Sequence, residues 1–173
     1  TSPGVSANRL DISDWTGTIG LPLPSTQVRI LDDLDHDLPA GETGEICVRG
    51  PLLMSGYLHR AEETAAALAG GWLHTGDIAY QDADGLFYIV DRKKDLIISG
   101  GFNVYPKEVE DVLCTHPAVA EAAVIGVPDE KWGELVQACV QLKPGAAVDA
   151  EALMALVRAA KGTVATPKRV EFL

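Results

Sequence analysis

Cysteine is scarce and badly placed for bridging. The three in the chain, Cys47, Cys114 and Cys139, are far apart, odd in number and never in a Cys-x-x-Cys pair. That argues against a disulfide framework or a zinc site and for reduced thiols in the cytosol. The four histidines, His36, His59, His74 and His116, stand alone, with no His-x-x-x-His and no carboxylate at ligand spacing, so no metal site is expected. Basic residues are few: 14 Lys and Arg against 25 Asp and Glu leave a net charge of −11. Without a broad basic face to neutralise phosphates, neither a nucleic acid nor an anionic membrane is expected as a partner. No apolar run approaches the ~18 residues of a transmembrane helix, and the start lacks a charged, apolar and small-residue leader pattern. Gly-x-Gly-x-x-Gly, the Walker pattern and Gly-x-Ser-x-Gly are all missing, which removes a dinucleotide fold, a P-loop and a nucleophilic serine elbow. Internal repeats and low-complexity tracts are missing too.

What is present is ordinary globular composition, 47% hydrophobic and 23% charged over 173 residues, enough for one domain or two small ones. The charge is uneven. Residues 1–91 hold 14 acidic and 4 basic side chains, a net of −10, and residues 92–173 hold 11 and 10, a net of −1. Such asymmetry points to two units with different surroundings. The first residues, Thr1 to Val5, and the last, Arg169 to Leu173, both read as the interior of a longer chain, and an excised fragment is expected.

The first half reads mainly as β structure. Residues 1–20 are polar and glycine-rich, a loop. Gln27 to Leu31 and Glu45 to Arg49 alternate polar and apolar as half-buried strands, and a hairpin is their simplest arrangement. Arg60 to Ala69 is alanine-rich, with Glu62 and Glu63 in its first turn and Gly70-Gly71 after it, a short helix. Trp72 to His74 and Leu86 to Val90 are strands, the second after a turn in which Asp82 and Asp84 are solvated.

The second half alternates. Leu96 to Ile98 is a short strand. Pro106 opens a helix whose Val109, Val112 and Leu113 form an apolar stripe. Val119 to Val127 reads as a covered strand, and Val136 to Leu142 as a strand with its even positions packed. Asp149 caps a second helix with Leu153, Leu156, Val157 and Ala160 as its core stripe and Gly162 as its stop. Lys168 to Phe172 is a last strand. The expected class is α+β, with a three-stranded sheet packed on one side by helices.

Chemistry concentrates between residues 75 and 110. In Thr75-Gly76-Asp77, placed between strands, a carboxylate is free to accept the two hydrogen bonds of vicinal ribose hydroxyls. Taken alone, the motif reads first as a plain turn. Arg92-Lys93-Lys94-Asp95 is the densest positive charge in the chain; Arg92 could donate a fork to a ribose hydroxyl or a carboxylate, and a solvated cluster is the alternative. Ser99-Gly100-Gly101 offers backbone that can swing or lie against a ligand, or end a strand. Trp15, Trp72 and Trp132 read as core anchors.

Taken in order, the run from Gly71-Trp72-Leu73-His74-Thr75-Gly76-Asp77 to Phe102-Asn103-Val104-Tyr105-Pro106-Lys107-Glu108-Val109-Glu110 resembles the carboxyl-terminal part of adenylate-forming enzymes, the superfamily of acyl-CoA synthetases, luciferases and peptide-synthetase adenylation domains. Gly17 to Thr26 and Gly44 to Pro51 resemble its β-rich subdomain, so the likeness covers nearly the whole chain, and the wording is most similar to bacterial long-chain fatty acyl-CoA ligases. The resemblance implies that residues 1–91 end the large AMP-binding domain, 92–95 form a hinge, and 96–173 are a small mobile domain cut before its lysine segment. It implies ATP and coenzyme A as cosubstrates, a fatty acid as substrate, and Mg2+ for the full-length enzyme. Asp77 and Arg92 would contact the ribose of ATP or AMP, Lys94 would be the hinge residue, and Gly101 would line the pantetheine path.

The departures are upstream and downstream. The family's phosphate loop and its Tyr-Gly-x-Thr-Glu motif are not in this chain. Its adenylation lysine would lie beyond Leu173, and Lys168 is not that lysine, so no catalytic residue is expected here. The implied location is cytoplasmic, with any peripheral membrane attachment left to other parts of the protein. Two other readings stay open: an acyl-AMP ligase or adenylation domain that loads a carrier protein, and a non-catalytic binding module.

Overall fold

The computed structural model describes residues 5–8 and 17–173; Trp15 lies outside them. The chain forms two compact units, Thr1–Lys93 and Lys94–Leu173.

In the first unit, β1 (Ser6–Ala7) pairs antiparallel with β2 (Leu21–Pro22), so part of the expected opening loop is strand. The signal is two residues long and depends on a partner far along the chain, which period-2 patterning cannot register. Four antiparallel strands follow in the spatial order of their sequence: β3 (Gln27–Leu31), β4 (Thr43–Arg49), β5 (Leu73–Gln81) and β6 (Phe87–Arg92). A helix, α1 (Ala61–Ala67), intervenes between β4 and β5. Ile30, Ile46, Ala79 and Phe87 form the core of this unit, with Ile19, Val28 and Leu38 packed against it.

The β5–β6 hairpin is closed by its own side chains. Tyr80 and Tyr88 are register partners and stack with ring centroids 4.9 Å apart, a cross-strand pair of the kind that contributes roughly 0.2–1 kcal/mol. Asp82 is more than a solvated turn residue. Its Oδ1 accepts from the Asp84 and Leu86 N–H groups, and its Oδ2 accepts from the Tyr88 hydroxyl.

The second unit is a mixed sheet covered by two helices. Its elements are β7 (Ile97–Ser99), β8 (Phe102–Val104), α2 (Pro106–Cys114), β9 (Val119–Asp129), β10 (Gly133–Leu142), α3 (Ala150–Ala165) and β11 (Arg169–Phe172). The sheet has five strands, not the expected three. It runs β11-β10-β7-β8, with β9 also paired to β10. The strand that no pattern marks, β8, is three residues squeezed between Gly101 and Pro106, too short to show a period. β11 runs parallel to β10, and β9 antiparallel to it.

Burial separates the strands. In β10 the even positions Val136, Ala138 and Val140 are buried, as alternation requires. In β9 only Val119 and Val124 are buried, and Ile125 is 48% exposed. The apolar run is therefore not a covered strand: its ladder partner is β10, and the helices cover one face. In α2, Pro106, Val109 and Leu113 face the core.

Asp149 caps α3, its carboxylate accepting from the Ala152 N–H at 2.7 Å. Leu153 and Val157 are buried, but Ala160 is exposed, shortly before the break at Gly162 (φ 81°). Among the described residues no helix is long and apolar enough to cross a membrane.

Two substitutions calibrate this packing. Asp149→Ala should cost the second unit about 1 kcal/mol, the value of an N-cap. Leu113→Ala, at a fully buried position, should cost about 2–5 kcal/mol. Urea unfolding followed by Trp132 fluorescence reads both, and equal losses would contradict the burial assigned to Leu113.

Candidate functional site

Thr75-Gly76-Asp77 lies inside β5 rather than between strands. Sequence alternation missed this because the strand is irregular there. Cys47 pairs with His74 and Glu45 with Ile78, so three residues of β5 (75–77) face one residue of β4, Ile46. Gly76 makes the bulge possible: its φ is +73°, a conformation that L side chains rarely adopt. Thr75 secures it, its hydroxyl donating to the Ile46 carbonyl at 2.7 Å and accepting from the Asp77 N–H at 3.1 Å.

The bulge delivers Asp77 opposite Arg92. The two are register partners across β5 and β6, and Arg92 Nε lies 2.8 Å from Asp77 Oδ1. The side chains are 29% and 58% exposed. With Arg92 exposed and Asp77 half-buried, such a pair contributes about 1 kcal/mol, too little to account for a distorted strand on stability grounds. An ionised carboxylate has about four lone-pair positions, so the arginine contact leaves capacity for hydroxyl donors.

Behind the bulge lies a second carboxylate that alternation presents as outward-facing. Glu45 is only 7% exposed, because four consecutive residues of β4, Glu45 to Val48, are buried. Its Oε1 accepts from the Gly76 N–H at 2.9 Å. Its Oε2 accepts from Lys93 Nζ at 3.1 Å and lies 3.3 Å from His74 Nδ1. Lys93 also pairs with Asp33 at 3.0 Å. Burial alone would raise the Glu45 pKa, but the Gly76 N–H, Lys93 and His74 outweigh it and hold the carboxyl below its ordinary value. Burial likewise works against the Lys93 charge, and Asp33 and Glu45 outweigh it to hold that group above its ordinary value. The Glu45 contribution to stability is thus present above the ordinary carboxylate range and lost as pH falls through its folded pKa. The Lys93 contribution is present below the ordinary lysine range and lost as pH rises through its own.

His74 is not isolated, as its sequence neighbours imply. Its Nδ1 also lies 3.4 Å from Cys47 Sγ, and the ligand atoms of Glu45, Cys47 and His74 fall within 4.8 Å of one another. The cation facing this carboxylate is already Lys93. Burial first, then the Glu45 and Asp35 charges, push the Cys47 thiol up to about 12, so it faces His74 as S–H. The arrangement suits a hydrogen-bonded carboxylate–ammonium network.

Asp77 and Arg92 belong to the first unit, and Lys94 and Gly101 to the second. Lys94 is exposed in the 3-10 turn Lys93–Asp95. Gly101 sits in the β7–β8 turn with φ +83°, and a Cβ there would meet nothing within 4 Å. Its neighbour Gly100 is the constrained one. A Cβ on it would lie 2.8 Å from the Trp132 ring, and its N–H donates to the Trp132 carbonyl at 2.8 Å.

The profile of the AMP-binding enzyme family matches residues 1–58, and that of the AMP-binding enzyme C-terminal domain matches residues 108–173. The chain is 49% identical to a long-chain-fatty-acid–CoA ligase of Bacillus subtilis over 99% of its own length and 31% of that protein's. Among solved structures it resembles ATP-bound MatB from Rhodopseudomonas palustris, with TM-score 0.91, 37% identity, and coverage of 98% of this chain and 34% of that one. It also resembles the amide bond synthetase McbA from Marinactinospora thermotolerans, with TM-score 0.85, 48% identity, and coverage of 92% and 33%. The chain therefore spans about a third of the length of the relatives it matches.

The thiol chemistry gives a direct check. With Cys47 buried at about 12 and Cys114 exposed, iodoacetamide at pH 8 should label Cys114 in the native chain and spare Cys47, whose thiolate fraction is roughly a thousandfold below that of a free cysteine. Mass spectrometry of the digested product reads the pattern, and urea should equalise it. Labelling of native Cys47 at the Cys114 rate would contradict the buried network.

Proposed function

The chain belongs to the AMP-binding enzyme family, and on that premise we propose that it is the carboxyl-terminal third of an AMP-forming long-chain fatty acyl-CoA ligase. In this reading a fatty carboxylate attacks ATP to give acyl-adenylate and pyrophosphate, and the thiol of coenzyme A then displaces AMP. The observation that carries the proposal is the Asp77–Arg92 pair, 2.8 Å apart and set out by a strand bulge that its own small stabilisation does not explain. Asp77 accepts from the ribose hydroxyls of ATP, and Arg92 both orients that carboxylate and reaches the same sugar. Residues 92–95 are the joint, Lys94 is the point about which the second unit turns between half-reactions, and Gly101 lines the pantetheine path. Few residues suffice for such a hinge. Mg2+ accompanies ATP in this reading and neutralises phosphate charge; the carboxylate of the pair already faces Arg92, so no residue of this chain is assigned to the ion.

The similarity to an amide bond synthetase supports a second reading in which the adenylate is passed to an acceptor other than coenzyme A. Assaying thioester formation with coenzyme A against transfer to carrier phosphopantetheine or an amine separates the two.

In the complete ligase, Asp77→Ala should raise the KM for ATP about tenfold or more, the size of a lost hydrogen bond to a charged group; an unchanged KM would end the ribose assignment. Lys94→Pro should slow one half-reaction more than the other, because proline restricts the joint, and equal slowing would count against the hinge. The 173-residue chain alone should show no ATP–pyrophosphate exchange with a fatty acid, since it contains no phosphate-loop pattern.

A further inference from the structure

The hydrogen bonds of Glu45 go to neither member of the Asp77–Arg92 pair but to the residue next to each. Its Oε1 takes the N–H of Gly76, immediately before Asp77, and its Oε2 takes the ammonium of Lys93, immediately after Arg92. Asp77 and Arg92 are themselves register partners, so one carboxylate fixes both strands at adjoining positions. Putting a carboxylate where only 7% of the residue is exposed is costly unless it is paired and hydrogen-bonded. Here its acceptor capacity is spent on the bulge and on the end of β6, with His74 against the same oxygen that Lys93 reaches. Lys93 is further held by Asp33, which anchors the last residue of the first unit. Without the Gly76 contact, the positive-φ bulge would be held on this side only by Thr75, and the direction of the Asp77 side chain would loosen.

We propose that Glu45 is a positioning residue for nucleotide binding: its buried carboxylate sets the spacing and direction of the Asp77–Arg92 pair from behind the strand. The inference rests on the reading of that pair as the ribose contact. A merely structural Glu45 would change stability and leave the response to the nucleotide alone. A positioning Glu45 changes how strongly the enzyme distinguishes a ribose from a deoxyribose.

The test uses the complete ligase with Glu45→Ala, Glu45→Gln, Lys93→Met and Asp77→Ala, and with Asp82→Asn, which weakens the hairpin turn away from the pair, as a stability reference. Each is assayed for Tm and for the KM of ATP and of 2′-deoxy-ATP. Glu45→Ala should raise the KM for ATP about tenfold and narrow the gap between the two nucleotides. Glu45→Gln, which keeps an acceptor for the Gly76 N–H, should recover much of both. Lys93→Met, which strips the buried carboxylate of its cation, should raise the ATP KM at least as far as Glu45→Gln, and Asp82→Asn should lower Tm without moving either KM. If Glu45→Ala does not fold, Glu45→Gln decides by an ATP KM raised at least twofold. An ATP KM within twofold of the parent in the folded Glu45 variants, while Asp77→Ala raises it, overturns the positioning role alone. An unchanged KM in Asp77→Ala removes the ribose contact and this inference with it.

Discussion

A carboxylate buried behind a strand bulge is the constraint on which the first unit's site depends. Glu45 cannot remain charged among Ile46, Cys47 and Val48 without partners, and the partners it has are the Gly76 N–H, the Lys93 ammonium and His74. Each comes from a different stretch: the bulge in β5, the end of the first unit, and the start of β5. Satisfying one buried charge therefore ties β4, β5 and the residue after β6 together. The exposed Asp77–Arg92 pair sits on that frame and adds little stability of its own.

The second unit is built differently. It has no buried ionic centre among the described residues; its core includes Ile97, Val104, Val109, Leu113, Val124, Val136, Val140, Leu153 and Val157, with α2 opened by Pro106 and α3 capped by Asp149. An apolar core held by β10 and two helices can remain intact while the unit moves as a body, which is what the proposed exchange of half-reactions asks of it. Exposed Ile98, Phe102 and Trp132 lie around its glycine turn.

Local signals were readable and distant ones were not. The Asp149 cap, proline at the start of α2, and the alternation in β3 and β10 all depend on residues within one or two turns, and the structure has them where the pattern puts them. β8 escaped because three residues between a glycine and a proline carry no period. β9 carries an apolar run yet is only partly buried, because apolar composition does not say which face meets a helix. At the site, alternation alone does not mark Glu45 as buried, and His74 stands apart in sequence from its carboxylate, 29 positions away. A charged residue beside Ile-Cys-Val was the available hint of a buried ion, and only the fold shows its partners. Thr75-Gly76-Asp77 and Arg92 were visible as motifs; that they are register partners comes from the β5–β6 pairing.

The central claim is that Asp77, aimed by this frame, accepts from the ribose of ATP. Its most direct test compares the binding of ATP with that of 2′-deoxy-ATP and 3′-deoxy-ATP by the complete ligase, in the parent and in Asp77→Ala, as a double-mutant cycle between a side chain and a hydroxyl. The account predicts that the parent prefers ATP over at least one deoxy form by about tenfold and that the variant binds all three alike. A preference for the ribose that survives intact in Asp77→Ala would contradict it.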